Sequence, residues 1–285
     1  MNTLNFTSLP LDSVPTYSNL YVILARLIDQ LDRGPLHDSG VIRWSCPVIA
    51  FGDVINPKVA TLGLNPSNRE FMDKAGLELK GWERRFPTLT SLGLTEWAEV
   101  DTRDLEMIMN ACQSYFHGNP YNAWFKKLDD VVAGAGASFY SPFHSACHLD
   151  LVPYATAAKW ITLNEKQRDT LLQHTTDTLG QILQDVPATT LILNGQSVVR
   201  QFESLFGCSL TREEAPAWTL HRESHRDVPG VAYRGVVTSL GGTRLDRELT
   251  VLGFNHNLQS SFGISSSVIE AIKNWIQSIM EDSNW

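Results

Sequence analysis

The chain has no long apolar run. Nothing in its 285 residues approaches the roughly twenty consecutive apolar residues that cross a bilayer. The opening MNTLNFTSLPLDSVP has neither the basic start nor the apolar stretch of a secretory signal. The expectation is a soluble, cytoplasmic protein. Cysteine is scarce: Cys46, Cys112, Cys147 and Cys208 lie far apart and form no CxxC pair. That excludes zinc-finger and iron–sulphur spacings, and a chain this long needs no disulfide staple, so buried free thiols are expected. Positive charge is short as well, with 23 Lys and Arg against 31 Asp and Glu, a formal net charge of −8. This lowers the expectation of a nucleic-acid partner unless basic residues gather locally. Candidate spots are Arg84-Arg85, Lys126-Lys127 and the run 221–226. Internal repeats and low-complexity blocks are also missing.

What is present is an alternation of elements on a 43% hydrophobic chain, enough to fill a core. Leu20, Ile23, Leu24, Leu27, Ile28 and Leu31 follow helical spacing across 17–31, and Asp32-Arg33-Gly34 stops the helix. Strands are predicted at 59–64, 146–152, 189–193, 231–239 and 249–254. Residues 68–135 read as mostly helical with loops. One long amphipathic helix is expected over 164–183, another over 198–206 and a last one over 266–280. Strands alternating with helices predict an α/β fold with a mainly parallel central sheet flanked by helices. We divide the chain into a helical extension, 1–46, and a main domain, 47–285.

In such sheets ligands bind at the carboxyl ends of the strands. Here those ends carry Gly63-Leu64-Asn65-Pro66-Ser67, His148-Leu149-Asp150-Leu151-Val152-Pro153, Asn194-Gly195-Gln196-Ser197 and Asn255-His256-Asn257. The first of these resembles the first motif of the uracil-DNA glycosylase superfamily, closest to the Gly-x-Asn-Pro-Gly form of its mismatch-specific and single-strand-selective branches. The second resembles the strand that reads the base, with Asp150 where the single-strand-selective branch has Asn. The third is similar to the third strand and its glycine turn, and residues 254–261 stand where the family carries its His-Pro-Ser loop. The order of the four motifs carries the resemblance over residues 59–280. Ile55-Asn56-Pro57 imitates the first motif but precedes its strand, so it is set aside.

The resemblance implies a three-layer sandwich of that superfamily and a monofunctional, metal-free and cofactor-free DNA glycosylase, expected to be monomeric. Asn65 is expected to orient the attacking water and His256 to donate to the base O2, both as catalytic residues. Asp150, Phe71, Leu64 and Asn255 are expected around the base, with Tyr121 and Trp124 as competitors for stacking. Ser67, Gly195, Gln196, Ser197, Ser260 and Ser261 are expected at DNA phosphates, and Leu258 or Gln259 as the wedge that fills the vacated stack.

Asp150 bears on the substrate. An amide pairs with both N3–H and O4 of uracil, whereas an ionised carboxylate only accepts and suits the exocyclic amine of cytosine. Its alternative meaning is a structural aspartate capping a loop. A modified cytosine, such as glucosylated 5-hydroxymethylcytosine in viral DNA, is the preferred target and makes the role antiviral defence. Uracil-type repair and a catalytically weak binding module on the same fold are the alternatives. The partner is single- or double-stranded DNA. No lysine adjoins the four motifs, so no Schiff-base step is expected. The pairs His144/His148 and His221/His225 have i,i+4 spacing, but the first is expected in a strand and the second lacks a glutamate base, so no metal site is predicted.

Overall fold

A computed structural model describes residues 18–222, 226–259 and 264–282. In chain order the elements are α1 (Ser18–Leu31), β1 (Val59–Gly63), α2 (Leu89–Leu92), α3 (Thr102–Gln113), α4 (Asn122–Val132), β2 (Ala146–Asp150), α5 (Glu165–Thr175), α6 (Thr178–Asp185), β3 (Thr190–Asn194), α7 (Gln196–Phe206), β4 (Thr211–Glu214), β5 (Val231–Leu240), β6 (Thr243–Phe254) and α8 (Ser266–Asp282). Among the described residues the strands form one six-stranded sheet in the order β2-β1-β3-β6-β5-β4. The pairs β2·β1, β1·β3 and β3·β6 are parallel, and β6·β5 and β5·β4 are antiparallel.

The fold is therefore α/β with a mixed sheet that is parallel at its centre. The parallel half is buried on both faces. Every residue of β1 and β2 is buried, and the sequences VATLG and ACHLD lack the apolar–polar alternation of a strand with one wet face. Val199 of α7 lies against Gly253 on one face, while Trp124 and Phe125 of α4 lie against His148 on the other. The apolar stripe of α1 belongs to the same hydrophobic core as the sheet.

Two expectations change. The predicted helix over 164–183 is two helices. The hydroxyls of Thr175 and Thr176 bond the carbonyls of Leu171 and Leu172, and Asp177 is drawn to Arg26 at 2.7 Å. Such back-bonding bends a helix, and here the chain turns into α6. The strands expected at 231–239 and 249–254 are arms of one hairpin, β5 and β6, turned by Gly241 and Gly242 with φ of +55° and +81°. That paired positive φ suits a tight hairpin turn and makes this half of the sheet antiparallel. The strand β4 has no counterpart in the sequence reading, because its four residues TREE are exposed and polar.

Candidate functional site

Parallel register sets one row of residues across the strand ends. Asp150 pairs with Gly63, Leu62 pairs with Leu193, which puts Asn194 beside Gly63, and Asn194 pairs with Phe254. Register partners in a parallel sheet share a face, so Asp150 and Asn194 flank the gap left by Gly63. A Cβ on Gly63 would collide with Asp150 Oδ1 and lie 3.0 Å from His148 Nε2.

Asp150 is 6% exposed, and its Oδ2 has no hydrogen-bond partner among the described residues. Its Oδ1 faces His148 Nε2 at 3.5 Å, and His148 Nδ1 meets Thr61 Oγ1 at 2.7 Å. A lone pair on Nε2 would repel the carboxylate. The network thus assigns the hydrogen to Nε2 and makes the Thr61 hydroxyl the donor to Nδ1. The rings of Phe51, Trp124 and Phe125 enclose the imidazole at centroid distances of 4.8–5.5 Å. Asn194 Oδ1 is a second buried acceptor with no partner. Orphaned buried acceptors are uncommon in folded proteins and mark a place where a donor belongs.

Glu70 is a further buried carboxyl group, on the segment that follows β1. It closes a short 3-10 turn, Asn68–Glu70, that Ser67 caps by accepting from Arg69 N, and it is 3% exposed. Its Oε2 accepts from the Tyr115 hydroxyl at 2.8 Å, and Tyr115 in turn accepts from Tyr121 N at 2.8 Å. Arg85 Nε stands 3.9 Å from the carboxylate, and its Nε–H donates to Asn119 O and an Nη1–H to Arg69 O. Burial pushes the Glu70 pKa up from 4.5 to about 7; the Tyr115 bond and Arg85 oppose the rise, and the charge of Asp150 adds to it.

Asn65 is anchored by its amide nitrogen, which donates to Pro66 O, Tyr154 O and Thr156 Oγ1 at 3.1, 3.3 and 3.0 Å. Thr156 donates its own hydrogen to Ala158 O, so it must accept from Asn65. With acceptors on that side, the amide cannot be flipped, and Oδ1 is left without a partner among the described residues. Leu64 is half-buried, its carbonyl bonded to Val152 N.

Other expected site residues are occupied within the fold. Phe71 is 1% exposed and packs on Trp44 and Phe86, while half-buried Trp124 stands against His148. Asn255 uses both ends of its amide, accepting from Val231 N and donating to Pro229 O. His256 is 3% exposed and its Nε2 donates to Trp218 O at 2.6 Å. Burial lowers its pKa, so the neutral ring offers only Nδ1, an acceptor; the donation to a base O2 expected of it does not match this geometry. Leu258 is fully buried, and Gln259 bridges Asn194 and Trp124 O at 3.3 Å on each side. In this structure Leu258 lies in the core, and half-buried Gln259 is tied to groups of the fold.

At the start of α7, Gly195 has φ +98° and a Cβ there would sit 3.3 Å from His256 O. Gln196 N already donates to Asn255 O, and Ser197 is exposed. Ser260, Ser261 and His225 lie outside the described residues. His144 is not in a strand: it precedes β2, has φ 39° and stacks on His117 at 4.2 Å. Among the described residues no group of three or more His, Cys, Asp or Glu could hold a metal ion, and no helix is long and apolar enough to cross a membrane. A depression of about 490 Å³ opens near the β5–β6 turn, at the far end of β6, but Arg26 within it is paired with Asp177 and no orphaned polar atom lines it.

Sequence reasoning missed Glu70, Tyr115 and the role of His148. The only available signal was a charged residue ending an apolar strand, as in HLD; nothing local marks Glu70 in SNREF as buried. No protein-family model matches the chain, and no curated protein matches it.

Proposed function

We propose that this chain is a DNA glycosylase that takes a flipped, modified cytosine into the strand-end cluster and hydrolyses its bond to the sugar. The observation that carries the reading is the partnerless Oδ2 of Asp150, a buried acceptor whose companion Oδ1 lies over Gly63 and opposite His148 Nε2. An exocyclic amine supplies the missing donor, whereas O4 of uracil would meet a second acceptor. Half-buried Trp124, packed beside His148, is the ring nearest to hand for stacking on a base.

In this reading the bond between base and C1′ breaks as the sugar becomes oxocarbenium-like. Water held by Asn65 Oδ1 adds its oxygen to C1′, and its proton passes to solvent or to the departing base. An amide orients water without acting as a strong base, which suits a dissociative reaction. Ordinary cytosine has to be spared, so the substrate is a modified base, for instance 5-hydroxymethylcytosine or its glucosylated form in viral DNA, and the role is defence. The three-layer fold of the uracil-DNA glycosylase superfamily belongs to this proposal.

The test is base release, read as alkali-labile abasic sites, from matched oligonucleotides containing uracil, 5-hydroxymethylcytosine, its glucosylated form or cytosine. Cleavage at a modified cytosine alone is expected, and Asp150→Asn should shift preference towards uracil. Cleavage at uracil alone by the native chain would overturn the assignment of Asp150. The committed N–H of His256 favours one second reading, a DNA-binding module with weak catalysis. Under that reading, Asn65→Ala leaves both DNA binding and the absence of base release unchanged.

A further inference from the structure

We infer that Trp82 and Arg84 form a second contact with DNA beside the strand-end site: the indole stacks on an unpaired base of the substrate strand, and the guanidinium takes a neighbouring phosphate. The inference rests on the glycosylase reading above and specifies which part of the substrate is held outside the flipped base.

With 83% of its surface exposed, Trp82 is the most open large apolar side chain among the described residues. It stands on a 3-10 turn, Gly81–Glu83, in which no residue is buried. Gly81 enters that turn at φ +55°, a left-handed conformation that glycine adopts without strain. A lone exposed apolar residue is ordinary. The neighbours set this one apart. Arg84 closes the turn, its N–H donating to Gly81 O at 3.3 Å. Its Nε is buried with no hydrogen-bond partner, and Arg84 takes part in no ion pair among the described residues. The fold leaves this charge uncompensated, so the half-buried guanidinium meets an anion only from outside. Lys74 and Lys80, on the same segment, are exposed. Of the carboxylates there, Glu70 accepts from Tyr115, Glu78 from Thr88 and Asp73 from its own turn, which leaves Glu83 exposed.

Hydrogen bonds fix this turn to the strand-end site. Arg85 Nη1 donates to Arg69 O at 2.7 Å, its Nε donates to Asn119 O at 2.8 Å, and Asn119 Nδ2 reaches Glu83 O at 3.4 Å. Phe86, 1% exposed, roots the segment in the core. Arg69 belongs to the 3-10 turn that follows Asn65-Pro66-Ser67. Four residues span at most ~14 Å, about four base steps at ~3.4 Å each, so the root of the Trp82 turn lies a few nucleotides from a base flipped in at Asn65. Stacking needs a base whose face is open, which suits single-stranded or locally unpaired DNA. Every base has such a face, so this contact adds affinity without selecting the modified base.

The test is binding, read by fluorescence anisotropy over a range of salt. The probes are a labelled single-stranded oligonucleotide carrying one 5-hydroxymethylcytosine and its fully paired duplex. The native chain is compared with Trp82→Ala, Trp82→Phe, Arg84→Gln and a control, Phe143→Ala. Phe143 is 72% exposed and precedes β2, at the opposite end of the sheet. Trp82→Ala should weaken single-strand binding roughly ten- to hundredfold, and Trp82→Phe should keep most of it. Phe143→Ala should change nothing. Arg84→Gln should flatten the slope of log K against log salt by about 0.7, the share of one phosphate on a single strand. The urea midpoint of Trp82→Ala should match the native one, because an exposed side chain carries little stability. Unchanged single-strand binding in Trp82→Ala, an equal loss in Phe143→Ala or an equal loss on the duplex would overturn the stacking contact. An unchanged salt slope in Arg84→Gln would overturn the phosphate contact. A native chain that binds no DNA overturns both. Base release is scored separately: a chain that binds through Trp82 and releases no base keeps this contact and loses the glycosylase reading.

Discussion

The carboxylate of Asp150 occupies the space that a side chain on Gly63 would fill, and Gly63 is its register partner across the β1–β2 pair. A glycine at the end of a buried strand thus makes room for Oδ1 of Asp150 opposite His148, the carboxylate whose other oxygen has no partner.

Gly63→Ala should therefore act at a distance from its own backbone. The added methyl collides with Asp150 Oδ1 and crowds His148 Nε2 at 3.0 Å. Overpacking of this kind costs about 1–3 kcal/mol, to be read from the urea midpoint. Base release should fall further than stability does, because the reader itself is displaced. An unchanged midpoint with full activity would show that the Asp150 side chain is free to move aside.

Asn65→Asp tests the fixed amide. The substitution sets an acceptor against Pro66 O, Tyr154 O and Thr156 Oγ1, where three donated bonds stood. We expect a loss of roughly 1–3 kcal/mol in chemical denaturation. Asn65→Ala should fold, bind DNA and release no base. Stability equal to the native chain in Asn65→Asp would mean that the turn tolerates either orientation.

Two buried groups impose opposite pH slopes on stability. The raised pKa of Glu70 means that the folded state holds a proton the unfolded chain gives up. Its stabilising contribution is full below pH 4.5 and is lost as pH rises to about 7, a difference on the order of 3 kcal/mol. The lowered pKa of His256 acts the other way, with stability present above pH 6.5 and lost as pH falls through the folded value. In Glu70→Gln the Glu70 slope is removed, so its stability relative to the native chain should climb between pH 4.5 and 8. Parallel curves for the two proteins would remove Glu70 as the source.

Gln259→Ala separates a tie from a wedge. Gln259 joins Asn194 Nδ2 to Trp124 O, and Asn194 Oδ1 is already without a partner. Its removal strips the half-buried Asn194 amide of its side-chain bond and should cost about 0.5–1.5 kcal/mol in the folded protein without DNA. A DNA wedge would instead leave thermal stability intact and weaken only binding to duplex.

Local chemistry made much of this protein legible from its residues. The apolar block VATLG followed by Asn-Pro predicts a buried strand and its turn, and Leu20 to Leu31 at helical spacing predict α1; each rests on neighbours a few positions away. The same holds for the gathering of polar residues at the strand ends, which follows from parallel strands alone. Tertiary packing decided the rest. Gly241-Gly242 turned two predicted strands into an antiparallel hairpin, and Trp218, far along the chain, took the hydrogen of His256. Nothing in SNREF reveals that Glu70 is buried against Tyr115 and within reach of Asp150's charge, since desolvation and coupling depend on what the fold brings around a group and not on its neighbours in sequence. The sequence determined which chemical groups stand at the sheet's edge; only the packing decided which of their hydrogen bonds are left open.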